Sequence, residues 1–171
     1  YPQLEVVASD NSSTNLTVKF YGRLVESSQK FTLIGFPDTQ YYTSLKNGGS
    51  AAILNSQTQW VVNNKDALNI VYAAGLGDCV DDGDLFEVPW QVLDNAMDII
   101  ENPVTTNLPD GLPYGLAVGN HDQTANGNAD GTTKYYNQYF GTGRFGTRGY
   151  FGGNYGSNND NHFDLFSAAG M

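Results

Sequence analysis

Three short polar clusters in this chain hold side chains able to do chemistry together: Pro37-Asp38-Thr39-Gln40, Gly77-Asp78-Cys79-Val80-Asp81-Asp82-Gly83-Asp84 and Gly119-Asn120-His121-Asp122. Each follows directly on an apolar run that reads as a β-strand. In an open α/β sheet, ligands bind beyond the carboxyl ends of the strands, so the clusters are expected to meet in one crevice. Carboxylates, side-chain amides and a histidine are the oxygen and imidazole donors that a hard or borderline divalent cation requires. A single aspartate after a strand is commonly a helix N-cap or a turn former. Three such clusters at successive strand ends favour the metal-binding reading instead.

The elements that must position these clusters are legible in the apolar periodicity. Residues 31–36 form a short apolar run ended by Pro37, the pattern of a buried strand stopping at a loop. A helix is expected over 50–68, with Ser50 as N-cap and an apolar stripe of Ile53, Leu54, Trp60, Val61 and Leu68. Residues 70–76 read as a strand covered on both faces. A second helix follows with Pro89 in its first turn and Trp90, Leu93, Met97 and Ile100 on one face. Residues 114–118 supply a third buried strand. The order β-α-β-α-β predicts an α/β fold, a sheet with helices packed against it. Upstream, residues 16–25 alternate as a half-buried strand, and 1–30 read as an N-terminal strand region or the tail of a preceding domain. From 122 to 171 Gly, Asn and Tyr dominate without a sustained period, and 141–156 is expected to be a long ordered loop of functional kind.

Composition narrows the partners. Eight Lys and Arg against 18 Asp and Glu leave a net charge of -10, which repels nucleic-acid phosphates and disfavours a nucleic-acid scaffold role. An acidic surface does not exclude a phosphate substrate, because bound divalent metals reverse the local field. The one cysteine, Cys79, rules out an intramolecular disulfide framework. No apolar run is long enough to span a membrane. The chain opens on Tyr1, as a processed product would, and a secreted, periplasmic or cell-surface location is expected.

At the clusters themselves a family resemblance becomes specific. Gly77-Asp78 with Asp81 or Asp82 and Gly83 resembles the second motif of the calcineurin-like metallophosphoesterases, and Gly119-Asn120-His121-Asp122 resembles the third in every position. Asp38-Thr39-Gln40 stands where the family usually has Asp-x-His. It is similar to a subgroup in which Asp-Thr-Gln precedes a Tyr-Tyr pair, here Tyr41-Tyr42. The resemblance runs from Phe31 to the end of the chain, so 31–171 would be the N-terminal part of such a domain, within an α/β/β/α sandwich. It implies two divalent metal ions, manganese, iron or zinc, and hydrolysis of phosphate mono- or diesters. Carried over by position, Asp38 would bind the first metal with Gln40 beside it, Asp78 would bridge the pair, and Asn120 would bind the second. His121 would stand near the leaving-group oxygen as acid or electrostatic stabiliser, oriented by Asp122. Two cations sharing a carboxylate activate a hydroxide and neutralise charge growing on the phosphoryl oxygens. An amide oxygen is a weaker donor than imidazole, which shifts preference toward harder ions such as manganese.

The family completes its site with later histidines, including a Gly-His-x-His motif, whereas this chain contains only His121 and His162. The resemblance therefore implies that the C-terminal half of the domain is the chain's necessary partner, beside a phosphate-ester substrate. Arg144 and Arg148, in the segment leaving the third cluster, are candidates to hold a phosphate's non-reacting oxygens. The alternative from a different class is a non-catalytic binding or structural module on the same fold, which Gln40 and the missing histidines favour. Other features read blandly. Asp81, Asp82 and Asp84 look like solvated turn carboxylates, Cys79 a small hydrophobe, Trp60 and Trp90 core anchors, and His162 a surface or packing histidine. Gly141-Thr142-Gly143-Arg144-Phe145-Gly146 lacks the strand-turn-helix context of a dinucleotide site, and the calcium-loop-like run from Asn126 has Asn137 where the twelfth-position Glu belongs.

Overall fold

The computed structural model describes residues 30–168. The strand expected at 16–25, and with it the reading of 1–29, lies outside the described residues. The first strand, β1 (Thr32–Phe36), is followed by a single turn α1 (Gln40–Thr43), helix α2 (Ala51–Asn64) and strand β2 (Ile70–Gly75). Then come α3 (Val88–Glu101), the short α4 (Pro103–Thr106) and β3 (Tyr114–Leu116). The three strands form one parallel sheet in the order β1-β2-β3, so the expected mixed α/β architecture is present, with β2 in the centre. All three carboxyl ends therefore lie along the same edge.

Local sequence explains the helices. The Ser50 hydroxyl caps α2 by accepting from the Ile53 amide at 3.4 Å. In α3, Pro89 occupies the first turn, where its missing N–H costs nothing, and Trp90, Leu93, Met97 and Ile100 recur at helical spacing and are all buried. Asn102 ends α3 and caps α4, its side chain accepting from the Val104 amide at 2.9 Å. Helices α2 and α3 share one core with Phe36, Ala73 and Leu116 of the sheet. At about 25 cal/mol per Å² of apolar surface removed from water, this layer is the main stabilising contribution.

Two expectations change. The buried face of α2 is Leu54, Thr58, Val61 and Val62, while Ile53 and Trp60 are exposed and Leu68 lies beyond the helix. Thr58 hides that stripe from a hydrophobic count, because its hydroxyl returns to the Asn55 carbonyl at 3.1 Å and lets the residue sit in the core. Trp60, 49% exposed, is not a core anchor.

The segment expected to be loop is structured. It contains α5 (Lys134–Phe140), α6 (Thr142–Phe145) and an antiparallel pair β4 (Phe151–Asn154) and β5 (His162–Asp164). Tyr136, Phe140 and Phe145 are buried aromatic anchors, each element being too short to display a period. Strand β5 lies against β3 where Gly115 has no side chain: a Cβ there would meet Tyr72 Oη at 2.5 Å and Asp164 Oδ2 at 2.6 Å. Among the described residues no helix is long and apolar enough to cross a membrane.

Candidate functional site

Loops 37–40, 77–85 and 119–122 leave the three parallel strands side by side and are tied together mainly through backbone groups. The Thr39 amide donates to the Asp78 carbonyl at 3.2 Å, and the Thr39 and Thr43 hydroxyls donate to the Cys79 carbonyl at 3.1 and 2.8 Å. Asp78 Oδ1 accepts from the His121 amide at 2.9 Å. Asp78 adopts φ +49° after Gly77 at +98°, a left-handed pair that aspartate and glycine tolerate and most residues do not. Gly119 permits the approach, since a Cβ at that position would fall 2.2 Å from both Asp78 N and Asp78 Oδ1. Trp90 holds the far side of the second loop, donating from Nε1 to the Gly83 carbonyl at 2.8 Å.

The candidate ligands are placed as follows. Asp38 is exposed, and its carboxylate accepts from the Gln40 amide at 3.1 Å and from Gln40 Nε2 at 2.9 Å. That leaves Gln40 Oε1 buried with no hydrogen-bond partner among the described residues. Asn120 donates from Nδ2 to Asn126 Oδ1 at 3.0 Å, and its own amide oxygen has no hydrogen-bond partner among the described residues, so it remains available as a metal ligand. Among the described residues no three His, Cys, Asp or Glu side chains converge as a metal cage. The donors brought to this edge are two carboxylates and two amides.

Among the described residues the His121 ring is held at Nδ1 only. Its Nδ1 lies 2.8 Å from the Asp81 carbonyl, 3.2 Å from Asp81 Oδ1 and 2.9 Å from Asn126 Nδ2. Two Asp81 acceptors favour a proton on Nδ1, in which state Asn126 Nδ2 cannot also donate to it, and Nε2 is left as the working nitrogen. The hydrogen bond to the Asp81 backbone raises the imidazole pKa. Partial burial opposes this, while the carboxylates of Asp78, Asp81 and Asp38 add to it.

Asp122 plays a different part from the one expected of it. Its two oxygens accept from the backbone amides of Val80, at 3.0 Å, and Gly119, at 2.8 Å, so it joins the second and third loops, and the imidazole is bonded by Asp81 instead. Fully buried, it is pushed up to about 6 by desolvation, against which the amides of Gly119, Val80 and Cys79 pull. Asp81, read as a solvated turn residue, is the group that sequence reasoning missed. The spacing of three residues after Asp78 was a visible signal, but only the tight turn shows which way Asp81 points. Asp84 is likewise bonded rather than free: it accepts from the Lys134 and Tyr135 amides at 2.9 and 2.8 Å at the start of α5. Cys79 is buried as a small hydrophobe.

Arg144 and Arg148 do not join this edge. Arg144 forms ion pairs with Asp94, with Asp98 at 3.0 Å and with Glu101 at 2.7 Å, and Arg148 reaches Glu101 at 2.7 Å and the Asp110 carbonyl at 2.8 Å. Glu101 ends α3, and Asp110 precedes β3, so both guanidinium groups sit at the amino-terminal end of the sheet, opposite the three loops. A cluster of carboxylates on α3 draws them there. His162 packs near Phe145 and Phe151 and bonds the Asn159 carbonyl at 3.0 Å.

Among curated proteins, the chain is similar to the uncharacterized protein YvnB of Bacillus subtilis (strain 168), 33% identical over 169 residues. The alignment takes in 96% of this chain but 12% of that protein, so the chain spans about an eighth of the length of the relative it matches. No family model matches the sequence. No solved structure matches it either.

Proposed function

We propose that this chain carries the first three motifs of a dinuclear phosphoesterase centre of the calcineurin-like kind, acting on phosphate mono- or diesters. The observation that carries the reading is the junction of the second and third loops: Asp78, in a left-handed conformation, bonds the His121 backbone across a gap that only Gly119 allows. A left-handed turn suited to Gly and Asp, held by surrounding bonds at a polar strand-end crevice, fits a built site.

The residues fit a metal centre in one concrete respect. Gln40 Oε1 is a buried acceptor beside Asp38 with no partner among the described residues, an arrangement that is costly unless a cation or donor meets it. Asp38, Gln40, Asp78 and Asn120 would hold two divalent ions, manganese, iron or zinc. When bound, such a pair supplies a strong nucleophile from water at neutral pH and neutralises charge on the phosphoryl oxygens. Asn126 keeps the Asn120 oxygen outward by accepting from its Nδ2. His121 would donate a proton, or a charged hydrogen bond, from Nε2 to the departing oxygen, with Asp81 holding the ring at Nδ1. Asp122 keeps the loops in register.

Gln40 in place of an imidazole favours a second reading, a binding module with weakened metal chemistry on the same fold. One experiment separates the two. Elemental analysis of the metal-supplemented full-length protein, run beside hydrolysis of an aryl phosphate, should give about two divalent ions per chain together with turnover. A metal content near zero sinks the phosphoesterase reading, and metal without turnover favours the module.

A further inference from the structure

We infer that Lys46 is the residue that receives the phosphate of an ester substrate; this rests on the phosphoesterase reading above. That reading gives the edge no cationic side chain beside its metals. The proposed edge carries Asp38, Asp78, Asp81 and Asp82, and the two arginines that could have met a phosphate are engaged at the other end of the sheet. Lys46, on the loop between α1 and α2, stands against the same carboxylate that orients the catalytic imidazole. One Asp81 oxygen faces His121 Nδ1 at 3.2 Å, and the other holds Lys46 Nζ at 2.5 Å.

The loop is built to place this ammonium. Leu45 and Asn47 have φ of +55° and +51°, with Gly48 at +82°, so Lys46 is flanked by left-handed residues on a tight turn. Its amide donates to the Tyr41 carbonyl at 3.0 Å, and Gly49 lies so close to that carbonyl that a Cβ would fall 2.2 Å from it. Ser44 Oγ accepts from the Asp81 amide at 3.2 Å, which fastens the lysine loop to the second motif.

Asp81 and Asp82 engage two of the three N–H donors of the ammonium, the second at 2.7 Å. The side chain is 45% exposed, which leaves the third donor open to solvent. A cleft of about 340 Å³ lined by Asp38, Tyr41, Tyr42, Asn47, Gly48 and Gly49 runs along the same loop. A phosphate bound here would take this third N–H with both aspartates in place; Lys46 itself does not line the cleft. The ammonium serves as a point-charge donor to a non-reacting phosphoryl oxygen.

The test uses Lys46→Met and Lys46→Arg in the metal-supplemented full-length protein, with inorganic phosphate as the binding probe followed by calorimetry, and an aryl phosphate for kinetics. Lys46→Met should weaken phosphate binding and raise KM by roughly 10-fold or more, with kcat and metal content retained, and Lys46→Arg should restore most of both. Unchanged phosphate affinity in Lys46→Met overturns the assignment. So does a fall in kcat at unchanged phosphate affinity, which would mean that Lys46 acts only through Asp81. If the unmutated protein takes up no metal and turns over no ester, the phosphoesterase reading itself has failed and this assignment falls with it.

Discussion

Asp81 meets His121 twice, with its backbone carbonyl 2.8 Å and its carboxylate 3.2 Å from the same ring nitrogen. A ring fixed in this way presents Nε2 outward whatever the tautomer of the free side chain would be. His121→Ala should therefore lower kcat for an aryl phosphate by roughly 100-fold or more with metal content intact. Asp81→Asn, which keeps the carbonyl and loses the carboxylate, should lower it by roughly 10-fold. Steady-state kinetics beside elemental analysis decides this, and unchanged turnover in His121→Ala removes the role assigned to it.

Gly119 is the narrowest point of the site. A methyl group there would lie 2.2 Å from two atoms of Asp78, neither free to retreat while Asp78 bonds His121. Gly119→Ala should cost about 1–3 kcal/mol of stability. It should also lower divalent-metal uptake, because the second and third loops must separate. Thermal unfolding and metal titration of the variant give both numbers, and a variant that matches the parent in each would show that the loops tolerate separation.

The arginines belong to stability rather than to substrate. Arg144 and Glu101 have side chains only 15% and 14% exposed and are paired at 2.7 Å, so Arg144→Ala leaves a largely enclosed carboxylate without its main partner. A loss of about 2–4 kcal/mol is expected, with KM for a phosphate ester unchanged. A raised KM at unchanged stability would return this residue to the substrate.

The same pair sets an acid limit. Burial alone would raise the Glu101 carboxyl, but the Arg144 guanidinium, the Tyr114 hydroxyl and the Arg148 charge outweigh it and hold the group below its ordinary 4.5. A carboxyl depressed in the folded state stabilises above its unfolded value, and that contribution drains away as pH falls through the folded one. The melting-temperature gap between the parent and Glu101→Gln should be full near about pH 6 and shrink steadily below about pH 4.5. A gap independent of pH would show that the glutamine loses packing rather than charge.

Much of the scaffold can be read from spacing. Three apolar runs, each ended by a polar cluster, predict parallel strands whose carboxyl ends share an edge, and Trp90, Leu93, Met97 and Ile100 announce the helix that covers them. Ser50 and Pro89 mark helix starts because capping is a matter of a few adjacent residues. Trp60 misleads, since it stands one position off a buried stripe that Thr58 interrupts. The aromatic segment after residue 130 hides its helices because each is too short for a period to show.

Within the site, the residue types at positions 38, 78, 120 and 121 were determined by the sequence alone, and so was their order along the sheet edge. Direction was decided only by tertiary structure. Whether Asp122 or Asp81 faces the imidazole depends on left-handed turns at Gly77 and Asp78 that redirect each following side chain. Whether an arginine or Lys46 stands near the carboxylates depends on which acidic cluster it meets across the fold: Asp94, Asp98 and Glu101 on α3 for Arg144, Asp81 and Asp82 for Lys46. Charge attraction acts through space between residues dozens of positions apart, and no spacing rule along the chain records it.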